Sequence, residues 1–337
     1  KPIVVGITHG DINGIGYEII IKSLMDMQIM EICTPLVYGM SKAVSYHRKS
    51  IKSGSDFSFH LIRQPEQVSI KRPNLISIND KEVKINLGAA TSIAGEMALA
   101  SLEIACDHLL EGKIDVLVTA PVNKHTMGGK TNPFSGHTEY LAAKTRASDC
   151  LMLMITENLK IGILTTHCAL SDVPRLISKE LIRQKLSVLN TSLKEDFLYT
   201  KPKIAVLSLN PHAGENGMFG KEEEKLIIPA LQEAFAEGIY VFGPYPADGF
   251  FASGQYTQFD AVLAMYHDQA MLPFKILSCS QGVNYTAGLP CIRTSPAHGT
   301  AYDIAGKDIA SPDAFRQAIY WACDIFRNRK ESRSKAN

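Results

Sequence analysis

A chain of 337 residues is long for one hydrophobic core and comfortable for two domains. Hydrophobic content of 45% and charged content of 20% are those of an ordinary globular protein, and 35 basic against 34 acidic residues build no field for nucleic acid or an anionic membrane. No apolar run approaches the ~20 residues of a membrane helix, and seven cysteines without a CxxC pair read as reduced, cytoplasmic thiols.

The first predicted strand, 3–8 (IVVGIT), enters the turn 9–16 (HGDINGIG), and a helix follows from 17 to about 25. A strand, a Gly-rich turn and a helix start can hold an anion. The spacing is not GxGxxG, so a tight structural turn reads at least as well. Further strands are predicted at 35–39, 57–62 and 75–78, with a helix at 42–51. The clearest helix is 91–110, with Ile93, Met97, Ala100 and Ile104 at helical spacing and Gly112 as its stop. A buried strand at 114–119 precedes a loop at 128–136 rich in Gly, Asn and Pro, and His137 opens another helix. Strands 151–156 and 161–166 lie close enough for a hairpin. Helices at 179–193, 222–237 and 312–327 and strands at 204–209 and 260–266 complete the pattern, and the basic tail beyond 327 is expected to fray. Strands alternate with helices, so the fold class is α/β with mainly parallel sheets. Two closely packed α/β/α domains are expected, 1–122 with 285–337 and 123–284.

Three predicted strands run into histidine: KIGILTT into His167, KIAVLSL into Asn210-Pro211-His212, and DAVLAMY into His267. In an open α/β sheet, ligands sit beyond the carboxyl ends of strands. A single histidine there is more often a hydrogen-bonded loop residue than a ligand. Three of them suit one zinc-like ion with an open position, the pattern of a catalytic site. Asp248 follows a short β-like run and reads either as acceptor for an imidazole N–H or fourth ligand, or as an Asx turn before Gly249. His137 and Thr138 begin a helix, where free N–H groups and the helix dipole favour phosphate, although Thr138 serves equally as a plain N-cap. Lys275 and Arg293, with Asn284 between them, sit in apolar surroundings that favour a cleft.

The stretch 298–307 (HGTAYDIAGK) resembles the HGSAPDIAGK loop of isopropylmalate and isocitrate dehydrogenases, which also lack GxGxxG. That resemblance implies a nicotinamide cofactor, NAD or NADP, held by His298, Gly299, Thr300, Ala301 and Asp303. The motifs GHTE (136–139), TTH (165–167), LNPHAGE (209–215), AMYHDQ (264–269), GVN (282–284), IRTS (292–295) and HGTA (298–301) together resemble the PdxA family of 4-hydroxythreonine-4-phosphate dehydrogenases along nearly the whole chain. The resemblance implies an isopropylmalate-dehydrogenase-like fold. It implies a homodimer with an interdomain active site shared between subunits. One divalent ion (zinc, cobalt or magnesium) would sit on His167, His212 and His267. His137, Thr138, Lys275, Asn284 and Arg293 would hold a phosphorylated substrate. Lys275 is the candidate for proton transfer, with charge pairing to the substrate as its plainer role. Asp248 is a second candidate in the chemistry. The family's GDPAGIGPE loop reads GDINGIGYE here at 10–18, so both prolines are gone. Gln281 replaces the usual Arg before GVN, and Ala297 the usual Asp before HGTA. These departures leave open a sibling dehydrogenase of 4-phosphoerythronate or 4-phosphothreonate. A three-His zinc hydrolase with Glu215 as base and a non-catalytic phosphometabolite binder are the readings from other classes.

Overall fold

The structure, a computed structural model, describes residues 2–79, 82–128, 136–147 and 149–336. The chain divides into two compact units, 1–145 with 290–326 and 146–289 with 327–337. The breaks by this division fall after 145, 289 and 326, where 122 and 284 were expected.

The chain opens with β1 (Ile3–Thr8), α1 (Gly16–Leu24), the single-turn α2 (Ile29–Ile32), β2 (Cys33–Gly39) and α3 (Ser41–Arg48). Every residue of β1 is buried, as an aliphatic run in a central parallel strand should be. Next come β3 (His60–Ile62) and β4 (Asn74–Ser77). The strand expected from 57 begins at His60; before it, Phe57 and Phe59 pack edge to face, ring centroids 4.9 Å apart. Thr91 caps α4 (Ser92–Leu110), its Oγ1 accepting from Ala94 N at 3.3 Å. The buried face of α4 runs through Ala94, Ala98, Ser101, Leu102, Ala105 and Leu109. The stripe of Ile93, Met97, Ala100 and Ile104 is its half-buried flank. The small side chains lie closest to the sheet, and periodicity read from the large ones was offset by one position. Then come β5 (Val116–Thr119), α5 (Lys124–Met127) and α6 (His137–Thr145). Most of the loop expected at 128–136 lies outside the described residues.

The second stretch holds β6 (Leu151–Ile155), β7 (Lys160–Thr165), α7 (Val173–Leu176), α8 (Lys179–Glu195) and β8 (Lys203–Leu207). Strands β6 and β7 form the expected antiparallel hairpin. The helix expected at 222–237 starts as a π-helical turn, Glu223–Ile227, and becomes α9 at Ile228–Ala236. Pro229, without an N–H, interrupts the regular ladder just there. Then follow β9 (Tyr240–Tyr245), α10 (Ala247–Ala252), β10 (Ala261–Tyr266), α11 (His267–Leu277) and β11 (Val283–Ala287). The chain returns to the first unit with β12 (Arg293–Pro296) and ends in α12 (Asp313–Ala336).

In the first unit the strand order is β3-β4-β2-β1-β5-β12, parallel throughout. In the second it is β11-β6-β7-β10-β8-β9, with β7, β10, β8 and β9 parallel. The tail expected to fray is helical to residue 336. Its basic residues find partners: Arg329 Nε donates to the buried Asp196 carboxylate at 2.6 Å, and Lys335 pairs with Glu331 one turn back.

Candidate active site

Strands β7, β10 and β8 are parallel neighbours, so their carboxyl ends open on one edge of the sheet. His167 follows β7, His267 is the first residue of α11 directly after β10, and His212 lies in the Pro211–Gly214 turn after β8. The His167 and His267 rings are tilted by 38° with centroids 6.4 Å apart. Both line a cavity of 490 Å³ with Thr166, Tyr266 and Asp268. Asp268 Oδ1 lies 2.7 Å from His267 Nδ1. With Nδ1–H donating to that carboxylate, Nε2 keeps its lone pair for a ligand.

Side chains tie the three strand ends together. Thr165 Oγ1 donates to Met265 O at 2.7 Å, joining β7 to β10. Gln269 accepts from Met265 N at 2.8 Å and donates to Ser208 O at 2.7 Å, joining the start of α11 to β8. The His212 turn is held by Glu223, which is buried; its carboxylate accepts from Leu209 N and Asn210 N at 2.8 Å each and from Asn210 Nδ2 at 2.9 Å. This anchoring is needed. His212, Ala213, Glu215 and Asn216 all have φ between 42° and 54°, a left-handed conformation that costs about 1–2 kcal/mol per non-glycine residue. The His212 ring lies 6.1 Å from Phe219. Among the described residues no three metal-type side chains converge, so the imidazoles share an edge without closing on one point. In kind the donors fit a borderline divalent ion. Asp248, exposed on α10, lines a neighbouring cavity of 570 Å³ with Tyr266, Asp268 and Gln269. Lys275 is exposed on α11, two turns beyond His267 and about 12 Å further along the axis. Asn284, on β11, has a buried Oδ1 without a hydrogen-bond partner among the described residues.

Three of the expected anion-binding residues lie in the first unit. Arg293 is 4% exposed, and its Nε and Nη2 both donate to Thr119 Oγ1, at 3.0 and 2.6 Å. Burial lowers its guanidinium to about 10, opposed by the nearby Glu139 carboxylate. His137 opens α6, and burial followed by the charges of Arg293 and Lys124 holds it well below the ordinary histidine range. Thr138 is the next residue of that helix. Positive groups gathered in a desolvated place favour an anion. Gly136 admits the crowding: an added Cβ would stand 2.5 Å from Glu139 Oε2 and 3.3 Å from Lys124 Nζ.

The segment His298 to Asp303 follows β12 at the same carboxyl edge as the loops after β1 and β5. Ile15 N donates to Thr300 O at 3.1 Å, and Tyr302 Oη donates to Asp11 Oδ2 at 2.6 Å. Burial raises the Asp11 carboxyl and, with Asp11 beside it, pushes the Tyr302 phenol up to about 12. Ala301 is left-handed at φ 44°, and Asp303 is exposed. His298 Nε2 is buried without a hydrogen-bond partner among the described residues, while an added Cβ at Gly299 would meet nothing within 4 Å. A waiting donor or acceptor beside open space fits a polar ligand such as a dinucleotide.

The model of the family "Pyridoxal phosphate biosynthetic protein PdxA" matches residues 31–322. The chain belongs to the PdxA family. It is 48% identical over 335 residues to 4-hydroxythreonine-4-phosphate dehydrogenase of Bacteroides thetaiotaomicron, covering 99% of this chain and 92% of the relative. It is 38% identical over 329 residues to D-threonate 4-phosphate dehydrogenase of Cupriavidus necator, covering 97% and 98%. The crystal structure of 4-hydroxythreonine-4-phosphate dehydrogenase from Klebsiella pneumoniae superposes with a TM-score of 0.82 at 34% identity, covering 97% of this chain and all of that one. The two-unit α/β fold with mainly parallel strands is thus a PdxA fold. Among the described residues no helix is long and apolar enough to cross a membrane.

Four residues that hold these strand ends have no role of their own in the sequence reading: Thr165, Glu223, Asp268 and Gln269. Asp268 and Gln269 carried a signal, three consecutive polar residues after an apolar strand. Glu223 carried none, because its role depends on a turn that precedes it by more than ten residues.

Proposed function

We propose that this PdxA-family chain is a metal- and NAD(P)-dependent dehydrogenase of pyridoxal phosphate biosynthesis. It oxidises 4-phosphooxy-L-threonine (4-hydroxythreonine 4-phosphate) at C3 to the 3-oxo acid. That β-keto acid loses carbon dioxide to give 3-amino-2-oxopropyl phosphate. The observation that carries the proposal is the delivery of His167, His267 and His212 to the ends of three adjacent parallel strands. These three residues would hold the ion. A bound divalent ion would supply Lewis acidity at the C3 hydroxyl, and the nicotinamide would accept the hydride.

The chain's own residues do the rest. Asp268 orients His267 through Nδ1, and Glu223 holds the turn that carries His212. Arg293 and His137, with Thr138, bind the substrate phosphate, which supplies remote binding energy. Asn284 contributes its Oδ1 to the polar part of the substrate. His298 to Asp303 receive the dinucleotide. Asp248 and Lys275 are the proposed proton-handling groups; Asp248 shares its cavity with Asp268. The proposal includes a homodimer, supported by the apolar surface of α11, where Leu272 and Ile276 are 65% and 70% exposed. It includes a cytoplasmic setting, supported by seven free thiols.

A second reading, oxidation of a threonate 4-phosphate, is favoured by the Cupriavidus relative's name together with Gln281 and Ala297. The deciding experiment follows NADH absorbance with both substrates and with 4-phosphoerythronate, with and without chelator. Fastest turnover of 4-phosphooxy-L-threonine, abolished by chelator, is expected. Faster turnover of a threonate moves the chain to the second reading. Hydrolysis without NAD would overturn both.

A further inference from the structure

The loop 10–16 carries Ile12 and Asn13 where the resembled pattern has Pro-Ala, and it is tied by hydrogen bonds to loop 86–91. Asn13 is fully buried there. Its Nδ2 donates to Ala89 O at 2.8 Å and to Thr91 Oγ1 at 2.9 Å, and its Oδ1 accepts from Asn86 N at 2.8 Å. Three of the four hydrogen bonds a side-chain amide can make are therefore filled. The Asn13 backbone is engaged as well: its N–H donates to Asp11 Oδ1 at 2.8 Å and its carbonyl accepts from Gly88 N at 2.9 Å. Asn13 thus joins loop 10–16 to loop 86–91.

The segment 298–303 rests on both of these loops. Ile15 and Asp11 bond to Thr300 and Tyr302 from the first loop. Gly14 approaches so closely that an added Cβ would stand 2.7 Å from Thr300 O, and one at Gly88 would stand 2.9 Å from Tyr302 O. The side chain of Asn13 is buried, with its hydrogen bonds directed at loop 86–91. It can act on a ligand through the segment it supports.

We infer that Asn13 is a positioning residue for the dinucleotide: its hydrogen bonds take the place of the missing prolines and preset the segment 298–303. This rests on the cofactor reading above. A loop already in its bound shape loses less conformational freedom on binding, so ligand affinity rises without any new contact. Removing the amide takes a partner from Asn86 N, Ala89 O and Thr91 Oγ1, and the tie between loops 10–16 and 86–91 loosens.

The test is calorimetric titration of NAD and NADP, separately, into the wild type, Asn13→Ala and the double variant Ile12→Pro/Asn13→Ala, which restores the family's Pro-Ala at those positions. Affinity for the phosphorylated substrate and thermal midpoint are measured alongside. Asn13→Ala is expected to weaken the better-bound dinucleotide on the order of tenfold, the worth of about one hydrogen bond, and the phosphorylated substrate far less. The double variant should recover most of the loss. If Asn13→Ala fails to fold, Asn13→Asp takes its place, since it keeps the acceptor for Asn86 N and loses both donors. A lowered thermal midpoint with unchanged dinucleotide affinity would overturn the inference, as would equal losses for both ligands. A wild type that binds neither dinucleotide overturns the cofactor reading first and this inference with it.

Discussion

His9 and His267 each follow a buried parallel strand directly, and they end in opposite surroundings. His9, after β1, is fully buried and stacked on Tyr17 at 5.2 Å, which stacks in turn on His47 at 5.1 Å. His267, after β10, stands at the rim with its side chain 40% exposed. The strand end brings both backbones to the carboxyl edge. The next element decides where the ring goes. After β1 the chain folds into a loop pinned by Asp11 N to Pro121 O, which covers His9. After β10 a helix starts at once, and its first residue stays at the surface. A ring buried in the stack serves packing, whereas a ring at the rim can be reached by a ligand. The proposed metal edge thus depends on residues that contribute little to the core, and the stacked histidines on residues the chemistry never touches.

The largest effect should come from breaking the exposed side. His212→Ala removes a donor without opening a cavity, since that residue is exposed. Bound zinc or cobalt, measured by elemental analysis after gel filtration, should be lost. Turnover should fall roughly a thousandfold, the equivalent of about 4 kcal/mol of Lewis-acid stabilisation. The thermal midpoint of the metal-free protein should not move. Full metal occupancy in the variant would remove His212 from the ligand set.

The buried side breaks with acid. Burial lowers both His9 and His47 to about 4 from an ordinary 6.5. As pH falls below 6.5 the unfolded chain takes up these protons first. Their contribution to stability is therefore full above pH 6.5 and is lost progressively as pH falls to 4. The loss approaches about 3 kcal/mol per group once pH is below 4. Urea midpoints of wild type and His47→Gln between pH 7 and 4.5 test this. The variant is less stable throughout, but its midpoint should fall less steeply with acid. Parallel slopes would show that His47 does not carry the effect.

The strands and the order of elements were readable because a buried parallel strand is a short aliphatic run, and such runs are hard to mistake when turn residues bound them. The strand-end histidines were readable for the same reason. Strand-end position alone, however, would have chosen His9 as readily as His267. His167, His212 and His267 are chosen by that position before any motif match, and His9 is passed over as part of a tight structural turn. The residues that set the site were less legible because their partners are distant in sequence. Gln269 reaches Ser208, 61 positions back, and Asn13 reaches Asn86, 73 positions on. Helix ends failed where a local cue was overridden: the basic tail reads as frayed until Asp196 captures Arg329.

The smallest of these effects, and the one that bears on substrate class, lies at Arg293. Its charge is buried, and two of the five guanidinium donors go to Thr119 Oγ1. Thr119 fixes the plane of the fork, which leaves the other donors aimed as a set. Lysine keeps the charge and has a single nitrogen, so it cannot both hold Thr119 and present a planar pair to a phosphate. Arg293→Lys should therefore lower kcat/KM for the phosphorylated substrate between about tenfold and a hundredfold, the loss of one charge-assisted hydrogen bond of roughly 1.5–3 kcal/mol. The dephosphorylated substrate should be poor with wild type and indifferent to the change. Because lysine carries the same formal charge on a smaller head, the fold itself should survive, and circular dichroism checks that it does. Equal impairment of both substrates would mean that Arg293 supports the sheet edge through Thr119 and does not read phosphate. The anion would then have to be sought at the start of α6, around the backbone of His137 and Thr138.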